Sequence, residues 1–480
     1  KNSISSSYSS NTLASFLSRL EYKFNNRYLL TLNFRADGSS QFGPDKRWGY
    51  FPSGAVAWII TEENFMKDYS NIVSYLKLRG SVGKTGSQNL GAYDWRTLMG
   101  SATYNGAAGI VPSSLGNDIL QWEEQIQKEV GLDYGFWDDR IRGTLGYYQK
   151  KVDNLLYSDP VPTSSSFSSV YQNIGSLKNR GIEFDVRVDI IKNAQKDLTW
   201  NVDFNIARNR TTLEKLNSSD GYFGGGAYDY FKIEEGGETG RFYGYKDAGR
   251  LFMTNEELVG LKTIDPKTGT LKYYRDDYNY ERQGDVYIMD LDGDGQITAD
   301  GDRTVIGNAN PDFFGGFGST LYWKGLMLNA VFSYSVGGDR FWDEEKNSSG
   351  DMNVYNTSNR ILDSWTVNPG VNASYPRAMY YGWGSNSIIT DRYIHDASYL
   401  RMTALNLSYR LPKHLYKNSI LNAVEFTFQA TNLFTWTKYP GMDPQGNFST
   451  TYSAFYNMGI DYSTYPSART YNFGIKLTLK

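Results

Sequence analysis

Gly181-Ile182-Glu183-Phe184-Asp185-Val186-Arg187-Val188-Asp189-Ile190 alternates strictly between apolar and charged residues. Ile182, Phe184, Val186, Val188 and Ile190 fall on one face of a strand, and Glu183, Asp185, Arg187 and Asp189 on the other. One face suits lipid and the other water. A soluble β-sandwich also alternates, with its polar face outward, so the lengths of the connections must separate the two readings.

The same period of two recurs along the chain in segments of about 9 to 11 residues, the length that spans a bilayer as a tilted strand. Tyr28, Leu30, Leu32, Phe34 and Ala36 oppose Thr31, Asn33, Arg35 and Asp37. Trp200, Val202, Phe204 and Ile206 oppose Asn201, Asp203 and Asn205, and Val424, Phe426 and Phe428 oppose Glu425, Thr427 and Gln429. The cleanest segment is the last, where Tyr471, Phe473, Ile475, Leu477 and Leu479 face away from Asn472, Gly474, Lys476 and Thr478.

Connection lengths alternate as well. Tight turns are expected at Asn25-Asn26, Asp138-Asp139 and Lys324-Gly325, with slightly longer ones near Lys192 to Asp197 and Pro412 to Ser419. Between them lie long connections at about 38–52, 85–123, 150–180, 211–311, 337–397 and 436–467. Short turns on one side and long loops on the other are the habit of outer-membrane barrels, with the long loops extracellular. The fold class is therefore all-β, a transmembrane antiparallel β-barrel with about 13 strands in this chain. An odd count does not close as an ordinary bacterial barrel, and the first strand, Ala14 to Phe24, descends towards the periplasm. The chain is expected to begin partway round its barrel.

Composition agrees. Of 480 residues, 16% are aromatic, and 39 Tyr and 48 Gly against 13 Pro favour strands and turns over helices. Mean hydropathy is −0.53 and no apolar run approaches the length of a spanning helix, which is compatible with a barrel, since only alternate residues meet lipid. The 49 basic and 52 acidic residues are well mixed, giving a net charge of −3 and no basic patch to track a phosphate backbone, so nucleic acid is not an expected partner. No cysteine is present, which removes disulfides and Cys-based metal or catalytic sites. The N-terminus, Lys1-Asn2-Ser3-Ile4-Ser5, carries no signal-peptide pattern.

Local sequences then become recognisable. Phe34-Arg35-Ala36-Asp37-Gly38-Ser39-Ser40-Gln41-Phe42-Gly43 is followed by Arg47-Trp48-Gly49-Tyr50-Phe51-Pro52-Ser53. Next come Leu76 to Gly86 (LKLRGSVGKTG), Asn173 to Glu183 (NIGSLKNRGIE), Thr431 to Tyr439 (TNLFTWTKY) and Asp461 to Pro466 (DYSTYP). In this order they resemble SusC/RagA-type TonB-dependent outer-membrane transporters over essentially the whole chain. That resemblance implies a barrel of about 22 strands around an N-terminal plug, driven through a TonB box by TonB-ExbB-ExbD. It also implies a SusD-like surface lipoprotein as a lid. The plug, the TonB box and roughly nine strands have no counterpart here, so the chain is expected to be the C-terminal part of the barrel. The implied function is import of a large nutrient, an oligosaccharide or oligopeptide, across the outer membrane. The rival is a secreted all-β carbohydrate-binding or carbohydrate-degrading protein, although the internal repeat of a propeller is lacking.

Asp290-Leu291-Asp292-Gly293-Asp294-Gly295-Gln296-Ile297 matches the first eight positions of an EF-hand calcium loop. Asp290, Asp292, Asp294 and the Gln296 carbonyl could converge on Ca²⁺. The twelfth position is Gly301, so Asp300 or Asp302 must close the shell. The other reading is a solvated acidic turn. Loop aromatics Tyr222, Phe223, Tyr228, Tyr230, Phe231, Tyr380, Tyr381 and Trp383 could stack on sugar or peptide, and of these Tyr228, Tyr230, Tyr380, Tyr381 and Trp383 are the candidate substrate contacts. Packing is the alternative role. Trp48, Tyr50, Phe51, Trp436 and Tyr439 read as girdle aromatics at the membrane interface. Catalysis has no support: His395 and His414 lie far apart, no nucleophile or zinc motif occurs, and Glu123-Glu124 and Asp138-Asp139 read as solvated turns.

Overall fold

The computed structural model describes residues 8–479 apart from 194, 217–221, 225–230, 255, 258–261, 265–270, 274–282, 350, 353–356, 368, 371–372, 381–385, 387, 418–419 and 447–457. Thirteen strands form one antiparallel sheet in chain order. They are β1 (Leu13–Phe24), β2 (Tyr28–Ser39), β3 (Trp48–Ile59), β4 (Val73–Ser87), β5 (Glu123–Phe136), β6 (Ile141–Asp153) and β7 (Ser176–Asn193). β8 (Leu198–Lys215), β9 (Phe313–Trp323), β10 (Leu326–Val336), β11 (Tyr399–Arg410), β12 (Leu421–Thr437) and β13 (Thr470–Leu479) complete it. Each expected strand is present, in the expected order.

The hairpins form where the turn chemistry demands. Asn25 and Asn26 both take positive φ (50° and 59°), as do Asp138 and Asp139 (55° and 58°) and Lys324 and Gly325 (48° and 86°). Those are the backbone signs that match the right-handed twist of the flanking strands, and Asn, Asp and Gly adopt them at least cost.

Strand length differs from expectation. β7 and β8 each run 18 residues, roughly 60 Å at about 3.3 Å per residue, well past an apolar band of about 25 Å. Beyond the band polar residues enter both faces and the strict alternation fades while the hydrogen-bonded ladder continues, with Asn179 opposite Thr211, Lys178 opposite Thr212 and the buried Leu177 opposite Leu213.

One face of the sheet is apolar and bare. Val56 is 60% exposed, Val130 57% and Ile475 66%, together with Phe16, Leu20, Val82, Ile182, Phe426 and Phe473. A soluble sheet buries such a face or aggregates; a lipid-facing wall keeps it exposed. This disposes of the secreted alternative.

The chain divides into two compact units. The first comprises Lys1–Tyr222, Glu234–Glu238 and Phe317–Leu326. Among its loops Phe42, Phe51, Leu120 and Trp122 close a small core. Phe51 is thus a core residue rather than a girdle aromatic, while Trp48 and Tyr50, its neighbours on the opposite face, stay exposed as expected. The second unit comprises Phe223–Ile233, Thr239–Gly316 and Met327–Lys480. Its long connections carry their own core of Phe231, Phe242, Ile306, Ala309, Phe341, Tyr393 and Ile460. Strand Arg241–Tyr245 pairs with Arg303–Asn308, and Asp339–Trp342 lies between Ile394–Asp396 and Ile460–Asp461. Phe231 packs there, as the packing reading of the loop aromatics expects.

Candidate functional site

In the first unit the polar face of the sheet is a lattice of ion pairs. Lys77 Nζ lies 3.0 Å from Asp133 Oδ2, Arg79 Nε 3.1 Å from Asp133 Oδ1, and Arg79 also pairs with Glu129. The guanidinium lies across Gly131, where a Cβ would come within 2.6 Å of Arg79 Cζ. Period two sets this arrangement: Lys77 and Arg79 share the polar face of β4, and Glu129, Gly131 and Asp133 share that of β5. Two more pairs, Lys84 with Glu124 at 2.6 Å and Lys178 with Glu214 at 3.1 Å, fall by the same alternation on the opposite face, near the loop ends of their strands. Beside the Arg79 cluster is a cavity of about 430 Å³ lined by Arg79, Gln127, Glu129, Tyr148, Glu183 and Asn209. A wall with paired charges of both signs offers a hydrated path without strong preference for either sign. Lys77 and Arg79 at i, i+2 and Glu129 and Asp133 at i, i+4 share this face, a spacing that the letters of the sequence carry but that no motif marks.

Glu123 and Glu124 are not a solvated turn, because they open β5: Glu124 pairs with Lys84, and a Glu123 oxygen accepts from Leu156 N at 3.3 Å. Asp138 and Asp139 are in the expected turn, with Asp139 Oδ1 accepting from the Ser74 hydroxyl at 2.8 Å.

The second unit contains the acidic loop. Asp290, Asp292 and Asp294 place one carboxylate oxygen each within 4.8 Å of one another. Backbone donors hold the curl: Gly293 N and Gly295 N donate to the two oxygens of Asp290 at 2.7 and 2.8 Å, and Gln296 N donates to Asp294 at 2.7 Å. Gly293 and Gly295 sit at φ 76° and 78°, which L side chains rarely adopt. Asp302 is fully buried and closes the loop by accepting from Leu291 N (2.8 Å) and Thr298 N (2.6 Å), whereas Asp300 stays exposed, outside the cluster. The Asp294 N–H lowers the Asp292 pKa, but desolvation and the charges of Asp294, Asp302 and Asp290 outweigh it and leave the group above its ordinary value. Three crowded carboxylates of this kind are chemically suited to a hard cation.

Elsewhere in the second unit a buried polar network ties the connections together. Glu345 accepts from Arg360 Nη1 at 2.8 Å and lies 2.6 Å from His395 Nε2. The His395 ring packs edge-on against Trp342 and Tyr439. Tyr439 is 5% exposed and donates to Asp461 at 2.8 Å, so it is a core residue and not a girdle aromatic. Trp436, at 53% exposure, keeps the girdle position. His414 sits in the short connection after β11, far from this network in the chain.

Among the candidate substrate aromatics, Tyr228, Tyr230, Tyr381 and Trp383 lie outside the described residues. Tyr380 is placed by its backbone in the short strand Met379–Tyr380. The same holds for Tyr222 and Phe223, in the strand Tyr222–Gly224.

Comparison with known proteins follows this geometry. Residues 2–433 match the family model for the β-barrel of TonB-dependent receptor-like proteins. TonB-dependent receptor P3 of Formosa agariphila is 33% identical over 98% of this chain and 46% of its own length. TonB-dependent receptor SusC of Bacteroides thetaiotaomicron is 32% identical over 97% of this chain and 44% of its own. Among solved structures, the RagAB peptide importer in its closed-closed state superposes with a TM-score of 0.75 at 27% identity, covering 97% of this chain and 47% of that one. The chain spans about half the length of the curated relatives it matches. These relatives are outer-membrane transport proteins rather than enzymes. The chain belongs to the TonB-dependent receptors of the outer membrane, in the SusC/RagA group, and matches their β-barrel region.

Proposed function

We propose that this chain is the C-terminal barrel wall of an importer that moves an oligosaccharide or oligopeptide across the outer membrane. In this reading a plug, a TonB box and further strands complete the importer, and TonB-ExbB-ExbD supplies energy through them. A SusD-like lipoprotein covers the long connections on the extracellular side. The observation that carries this reading is the two-faced sheet: bare aliphatic and aromatic residues such as Val130 and Ile475 on one side, the Lys77-Arg79-Glu129-Asp133 lattice on the other. Lipid requires the first and a hydrated substrate path the second. Ca²⁺ in the Asp290 loop is part of the same proposal: it stiffens an extracellular connection whose three clustered carboxylates otherwise repel one another.

Deleting the gene in its source organism tests the reading. Growth on one class of oligomer should stop while growth on the matching monomers continues, and removal of the TonB box alone should reproduce the defect. Unchanged uptake across a panel of oligosaccharides and oligopeptides would sink it.

A further inference from the structure

A second cavity, about 560 Å³, opens in the second unit at the loop ends of β9, β10 and β11. Its walls are apolar where Ala309, Pro311, Phe314, Ala397 and Met458 line it. Among the described residues of the lining, Arg340 is the one charged side chain.

That arginine is poorly matched to its surroundings. Its Nη1 reaches only backbone carbonyls, Asp339 O at 3.1 Å and Ala309 O at 3.4 Å. Its Nε is shut off from solvent and has no acceptor among the described residues. The two carboxylates whose charge it feels hydrogen-bond elsewhere: Asp339 accepts from Asn308 N, and Asp461 from Tyr439 and Thr464 N. Burial pulls the guanidinium below its ordinary pKa, and the charges of Asp461 and Asp339 only partly oppose that shift. A half-buried guanidinium that feels carboxylate charge but hydrogen-bonds to no carboxylate among the described residues can accept a closer anion.

Two further donors line the same cavity. Ser333 Oγ is buried and unpartnered among the described residues. Tyr399 Oη accepts from Gln445 Nε2 at 2.6 Å, leaving its own hydrogen without a described acceptor. The Gln445 carbonyl faces Arg401, accepting from its Nη1 at 2.6 Å.

We propose that this cavity binds the C-terminal carboxylate of an oligopeptide, with Arg340, Tyr399 and Ser333 as donors and the apolar wall receiving the terminal side chain. A peptide fits better than an acidic sugar. The apolar wall of Ala309, Pro311, Phe314, Ala397 and Met458 suits an aliphatic or aromatic side chain and would strip water from sugar hydroxyls without replacing it. The proposal rests on the import reading and narrows its substrate to peptides with a free C-terminus.

The test uses full-length receptor, plug included, purified in detergent, with calorimetry on the tripeptide Ala-Ala-Phe as free acid and as C-terminal amide. The free acid should bind at least about tenfold more tightly than the amide, the usual scale for a lost charge-assisted hydrogen bond. Arg340→Met should bring that ratio close to one and Arg340→Lys should restore part of it. If Arg340→Met does not fold, Tyr399→Phe and Ser333→Ala should each weaken the acid severalfold and leave the amide unchanged. Equal binding of acid and amide, no binding of either, or tight binding of trigalacturonate in place of the peptide acid overturns the assignment. The import reading survives each of those results, because gene deletion and TonB dependence decide it separately.

Discussion

His395 Nε2 lies 2.6 Å from a carboxylate oxygen of Glu345, a residue only 6% exposed that also receives Arg360 Nη1 at 2.8 Å and the Tyr375 hydroxyl at 3.3 Å. One carboxylate thus joins residues from four segments of a single connection. Glu345→Ala leaves a guanidinium and an imidazole without their acceptor in a half-buried site. The expected cost is about 3 kcal/mol or more. Hydrogen exchange over 339–397 should speed up sharply while exchange in β1 to β8 is unaffected. Unchanged protection in 339–397 would mean that Glu345 does not organise this region.

Tyr439 supplies a pH test. Burial first, then its hydrogen bond to Asp461 and the charge on that group, raise the phenol far above its ordinary 10.0. A group whose folded pKa is raised contributes stability in full below its unfolded value, and that contribution is lost as pH rises through the folded value. Tyr439→Phe should therefore be less stable than wild type by about 1 to 2 kcal/mol at pH 8. Between pH 10 and 11 the gap should narrow by up to about 1.4 kcal/mol per pH unit, since only the wild type must hold that proton against the solvent. Urea titrations of the folded barrel across pH 8 to 11 measure both effects, and a gap independent of pH refutes the assignment.

The sheet was legible in the sequence because lipid on one side and water on the other impose period two on every strand, as in Ile182 to Ile190. The connections were harder to read. Trp48, Tyr50 and Phe51 look alike as letters, yet Phe51 points to the opposite face and is buried against Phe42 and Trp122. Tyr439 follows Trp436 by three residues, but β12 ends at Thr437, so the girdle position ends there too. Arg340 carried no local signal. Its significance comes from where its neighbouring carboxylates hydrogen-bond, and that depends on pairings such as Asp461 with Tyr439, 22 residues apart.

Calcium can be tested on the acidic loop directly. If the cluster holds the ion, titrating Ca²⁺ into apo receptor should give a binding heat in the range of about 0.1 to 1 mM typical of extracellular sites. At about a hundredfold excess over Kd, stability should rise by about 2.7 kcal/mol. Asp292→Asn with Asp294→Asn should abolish the heat, and since both side chains are exposed the fold should tolerate the change. Absence of binding up to about 10 mM leaves an acidic turn held by its own backbone donors.

Val130 and Gln127 decide whether the bare face meets lipid. Both lie on β5, Val130 at 57% exposure on the apolar face and Gln127 against the cavity beside Arg79 on the polar one. An arginine in place of Val130 must carry a charge into hydrocarbon, at about 2 to 4 kcal/mol near the midplane. An arginine in place of Gln127 stays in water and has Glu129 and Glu183 in the same cavity lining. Val130→Arg should lower the yield of receptor folded in lipid vesicles and its urea midpoint, with Gln127→Arg close to wild type. In a soluble sheet the order would reverse, because a new charge at an exposed residue is harmless there and crowding beside Arg79 is not. Equal effects, or the reverse order, would contradict a lipid-facing β5.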